Sequence, residues 1–71
     1  MKHNAYDYIL AAASVLGAIV NENGLHWSAI VKHDRALWHV DSCSRPVLLL
    51  PRTFAALLLR YPATFAIETV A

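Results

Sequence analysis

The stretch from Leu25 to Ser42, LHWSAIVKHDRALWHVDS, constrains the fold more than any other part of the chain, because it holds two alternating runs separated by charged residues. Side chains on a strand point to opposite faces with period two, so the two runs read as an antiparallel hairpin. A symmetric turn centred on His33 and Asp34 makes directly opposed positions sum to 67, which sets His26 opposite Asp41. A four-residue loop from Lys32 to Arg35 keeps the same sum, and His33-Asp34 lacks the Asn-Gly or Asp-Gly signature of a tight turn, so both loops stay open. Opposed Cβ atoms on one face of such a pair lie about 4.5–5.5 Å apart, within reach of a His–carboxylate hydrogen bond. A general base and its orienting acid need that arrangement.

The same register sorts the other residues. Trp27, Ala29 and Val31 share a face with Val40, Trp38 and Ala36, which is wholly apolar, whereas His26, Ser28, Ile30 and Lys32 meet Asp41, His39, Leu37 and Arg35 on a mixed and mostly polar side. A slip of one residue would put His26 and Asp41 on opposite faces and spoil the apolar side. The apolar Trp side is therefore expected to form the core.

Seventy-one residues make one domain, and a chain of that length buries only about 60% of its unfolded surface, so its stability is expected to be marginal. The 58% hydrophobic content with 15% charged residues argues against disorder and for some exposed apolar surface. A net charge of +1, with six Lys and Arg scattered along the chain, supplies no electrostatic footprint for nucleic acid. The apolar run Ile9 to Val20 is 12 residues long, short of the roughly 20 that a membrane span needs, and Tyr6, Asp7 and Tyr8 spoil a signal-peptide reading. No membrane partner is expected. Cys43 is the single cysteine, so no internal disulfide forms and a cytoplasmic or nuclear setting is the default.

In chain order, Asn4 with Asp7 three residues on reads as a helix start, and Tyr6, Ile9, Leu10, Ala13 and Gly17 recur at helical spacing, so a helix is expected from about Ala5 to Leu16. Ala18, Ile19 and Val20 read as a first strand ended by the turn Asn21-Glu22-Asn23-Gly24. After the hairpin comes a loop, Cys43 to Pro46, and an apolar run from Val47 to Leu50 whose type the sequence leaves open. Pro51 suits a first helical turn, Phe54, Leu57, Leu58 and Tyr61 form one apolar stripe, and Pro62 stops the helix. The Trp side of the hairpin is the expected surface for that stripe. Ala63 to Val70 alternates as a closing strand, with Phe65 and Ile67 on one side and Glu68 on the other. The fold class is α+β: a mainly antiparallel sheet of about four strands with two packed helices.

From Gly17 to Val70 the chain resembles the C-terminal half of the Josephin-type deubiquitinating cysteine proteases. That family has a short apolar strand ending in Asn, a His-Trp pair, a charged turn, an aromatic-containing strand, then Asn or Asp followed by Ser. The corresponding residues are GAIVN, His26-Trp27, KHDRALWHV and Asp41-Ser42, and the later Pro, amphipathic helix and apolar closing strand match as well. The resemblance implies that residues 1–71 are a single partial domain, a papain-like half-domain. It also implies that His26 is the catalytic base, that Asp41 orients it, and that the partner is ubiquitin or a ubiquitin-like protein, with no cofactor and no metal. Such a protease also needs a nucleophilic Cys at a helix start and an oxyanion-stabilising Gln just before it. The chain contains no Gln, and its lone Cys43 lies two residues past Asp41 in a loop. A chain with this half alone is expected to lack activity.

Two rival readings use the same residues. One is a non-catalytic module that binds a ubiquitin-like protein. The other is a metal site of His26, His39 and Asp41, since two His and one carboxylate form a recognised zinc or iron ligand set.

Overall fold

The computed structural model describes residues 5–69. Helix α1 (Ala5–Ala11) leads into strands β1 (Val15–Glu22), β2 (His26–His33), β3 (Ala36–Val40) and β4 (Val47–Leu49), followed by helix α2 (Pro51–Arg60) and strand β5 (Thr64–Glu68). The five strands form one sheet in the order β4-β3-β2-β1-β5, and every neighbouring pair is antiparallel. The α+β class with two helices holds; the strand number rises from about four to five because Val47–Leu49 pairs with β3.

Helix α1 stops at Ala11, five residues short of the expected end, and β1 starts earlier than Ala18. Ala12 to Leu16 has helix-forming alanines, but Val15 onward gains ladder partners on both sides, from β2 and β5, and that outweighs local propensity. The Asn4 helix cap lies outside the described residues, as does Val70. Gly17 sits at an irregularity in the β1–β5 ladder with φ of 157°, where a Cβ would collide with the carbonyl oxygen of Ile30. Only glycine fits that approach.

Helix α2 begins as expected at Pro51. The Thr53 hydroxyl accepts the backbone N–H of Leu50 at 2.8 Å, satisfying a donor ahead of the first turn. Phe54 from this helix is buried with Ile9, Val15, Ala18, Val20, Ile30, Leu37 and Leu49, and Leu57, Leu58 and Tyr61 pack against that cluster. Tyr6 of α1 closes it, with its ring edge-on to Phe54 at 5.6 Å and its hydroxyl donating to the Leu49 carbonyl.

The core therefore lies on the mixed face of the hairpin, which corrects the expectation that the Trp side would take the α2 stripe. Trp27 is 58% and Phe65 57% exposed, and with Ile19, Val31, Leu48 and Ile67 they belong to an open outer face. The physical reason is positional. Ile30 and Leu37 occupy the middle of the mixed face beside Ala18 and Leu49, while its polar residues sit at the two ends, where they find partners. Lys32 donates to the Ala12 carbonyl at one end, and the histidines and carboxylates bond to one another at the other. No buried polar side-chain atom among the described residues lacks a hydrogen-bond partner.

Candidate functional site: a histidine–carboxylate cluster at one end of the sheet

The β2–β3 register runs from Ala29 opposite Val40 to His33 opposite Ala36, so opposed positions sum to 69 rather than 67. The two-residue turn is Asp34-Arg35, both left-handed with φ of 55° and 63°, which matches the twist that tight hairpins favour. A shift of two preserves every residue's face. Continued past Ala29, it sets Asp41 diagonally across from His26. The contact forms all the same, with His26 Nε2 3.1 Å from Asp41 Oδ1.

Because an ionised carboxylate only accepts hydrogen bonds, this contact places the imidazole proton on Nε2 and leaves the Nδ1 lone pair as the basic atom. The His26 side chain is 38% exposed and that of Asp41 21%, so the pair is sheltered yet reachable. Asp41 is itself held in place by the backbone N–H of Cys43 at 2.9 Å. That bond first, and the His26 contact second, hold its carboxyl below the usual carboxylate range, against a smaller opposing effect of burial. Asp41 is thus anionic at neutral pH.

A second polar chain lies alongside. The Ser28 hydroxyl donates to Glu22 Oε2 at 2.6 Å, and His39 Nε2 is 2.8 Å from the same hydroxyl. With its single proton committed to Glu22, Ser28 accepts from His39 Nε2–H. Ser28 is buried and braces the strands through these two bonds. Glu22 directly opposes His26 in the β1–β2 hairpin, whose loop carries Asn23 and Gly24 with φ of 58° and 75°. Its place in the site was not foreseen, although the Asn-Glu-Asn-Gly turn signal, read as a hairpin, would have set Glu22 across from His26.

Of the residues expected in the site, His26 and Asp41 are together and His39 is their neighbour. Trp27 faces away, on the outer side of the sheet, where Val31, His33, Trp38, Val40 and Pro46 line a groove of about 350 Å³. Cys43 is exposed, and among the described residues its sulfur hydrogen-bonds the Ser42 hydroxyl and neither imidazole. No helix among the described residues is long and apolar enough to cross a membrane. Comparison with known proteins finds no matching family model, no matching curated protein and no matching solved structure.

Proposed function

We propose that the chain carries the base-and-orienter half of a papain-like, Josephin-type thiol protease site directed at ubiquitin or a ubiquitin-like protein. The observation that carries this reading is the 3.1 Å His26 Nε2–Asp41 Oδ1 bond between the first residue of β2 and the residue that follows β3, with Nδ1 left to take a proton from a thiol. The His-Trp and Asp-Ser pairs at that contact are the residues on which the family resemblance rests. Cys43, whose sulfur hydrogen-bonds the Ser42 hydroxyl and neither imidazole, is not the thiol the dyad serves in this reading. The chain alone is without hydrolase activity and engages its partner by binding.

Two measurements with ubiquitin test this. Ubiquitin bearing a thiol-reactive group at its C-terminus is expected to form no adduct with the chain. In an NMR titration, unmodified ubiquitin is expected to shift resonances of His26, Asp41 and Ser42. An adduct through Cys43 that disappears in His26→Ala would overturn the assignment of the thiol. Absence of binding to ubiquitin and to its relatives would overturn the choice of partner.

A further inference from the structure

We propose that Glu22, His26 and Asp41 form a binding site for a divalent cation of intermediate softness, with zinc as the best fit. One donor atom from each residue lies within 4.8 Å of the other two, and all three side chains are partly buried. The residues end β1, begin β2 and follow β3, so one ion would tie three successive strands at the same end of the sheet.

Three features separate this cluster from a chance meeting of polar groups. The first is spacing. Zinc bonds of about 2.0–2.2 Å place neighbouring ligand atoms roughly 3.0–3.5 Å apart, and the His26 Nε2 to Asp41 Oδ1 distance of 3.1 Å already meets that. The Glu22 carboxylate, on the longest of the three side chains, closes the remaining gap. The second is orientation. Both carboxylates are aimed by donors outside the ligand set, Asp41 by the Cys43 N–H and Glu22 by the Ser28 hydroxyl that His39 in turn supports. Metal-ligating carboxylates are held in that way. The third is charge. Among the described residues no Lys or Arg forms an ion pair with either carboxylate; their only ion-pair partners are His26 and His39. Two neighbouring carboxylates with no Lys or Arg paired to either concentrate negative charge in a sheltered place.

Ligand chemistry chooses the ion. Magnesium and calcium take oxygen ligands, whereas one imidazole with two carboxylates suits zinc, with water completing the coordination. His39, whose Nε2 is 3.7 Å from Glu22 Oε2, stands next to the ligands and supports them through Ser28. The cation and the Nε2–H···Oδ1 bond exclude one another, so zinc would hold the His26–Asp41 pair in a state unable to act as a base. The site stands on geometry and charge alone and does not depend on the protease reading.

Zinc titration of the whole chain, stripped with a chelator and followed by calorimetry and NMR without ubiquitin, tests the proposal. One zinc per chain is expected, with shifts at His26 and a raised melting temperature, because a ligand that binds only the folded state stabilises it. Glu22→Gln keeps the side-chain shape and an acceptor for Ser28, and is expected to weaken zinc binding about ten-fold or more while circular dichroism stays unchanged. No zinc binding, equal affinity for magnesium, or zinc binding that survives both Glu22→Gln and His26→Ala would overturn the site. None of these results bears on ubiquitin binding.

Discussion

His26 and Asp41 meet through a 3.1 Å hydrogen bond although the strand register makes them diagonal neighbours rather than an opposed pair. The approach works because Asp41 lies just past the last residue of β3, where its carboxylate is turned back by the Cys43 N–H toward the start of β2. Removing only the charge should therefore loosen the contact without disturbing the sheet. Asp41→Asn is expected to leave the β2–β3 amide pattern intact while broadening or splitting the His26 ring signals in NMR spectra. Unchanged ring signals would show that the carboxylate does not hold the imidazole.

The inner and outer faces of the sheet differ in energetic weight. Phe54→Ala, in the core, is expected to cost about 3–5 kcal/mol, enough to remove most of the stability of so small a domain. Trp27→Ser, on the open face, is expected to cost about 1 kcal/mol or less. Denaturant melts measure both, and the reverse order would mean that the helices pack on the Trp side.

The parity of the hairpin, the α2 stripe and the closing strand were legible in the sequence because each is a local periodicity. Alternation assigned the β2 residues from His26 to Lys32 and every residue of β3 to the correct one of two faces, and left His33 in the turn. It could not say which face is buried, since Ile30 and Leu37 form an apolar centre within a face that counts as polar, and the polar residues around them satisfy one another. The register was two residues off because the turn uses Asp34 and Arg35, and left-handed Arg carries no turn signature. The contact between His26 and Asp41 was legible in spite of that, for a shift of two leaves them on one face. Glu22 and Ser28 were missed as site residues because their roles depend on a third strand.

Glycine positions offer a second test of the backbone. Gly17→Ala is expected to destabilise by on the order of 3 kcal/mol or more, because the new Cβ meets the Ile30 carbonyl oxygen across the β1–β2 ladder. Gly24→Ala, in open space with φ of 75°, carries only the left-handed penalty of about 1 kcal/mol. Equal costs in thermal melts would contradict the close approach at Gly17.

Ser28 joins Glu22 and His39 inside the sheltered end of the sheet. Ser28→Ala leaves both without their shared hydroxyl and is expected to cost about 1–3 kcal/mol, measured by denaturant unfolding. A neutral result would mean that water replaces the hydroxyl at no loss.

The Tyr8 hydroxyl donates to Glu68 Oε1 at 3.0 Å, tying α1 to β5. This bond first, and the Glu68 charge second, raise the Tyr8 pKa above its ordinary 10.0, because both favour the protonated phenol. The associated stability is present below that ordinary value and is lost as pH rises through the raised one. Absorbance titration of tyrosinate is expected to show the high-pH component moving down in Glu68→Gln, and an unchanged titration would contradict the contact.

The direct test of the base-and-orienter assignment is the protonation pattern of the neutral His26 ring, read from long-range proton–nitrogen NMR correlations with a chelator present. The geometry predicts a proton fixed on Nε2 and a bare, basic Nδ1, with that preference lost in Asp41→Asn. A proton on Nδ1, or the same tautomer mixture with and without the Asp41 carboxylate, would contradict it.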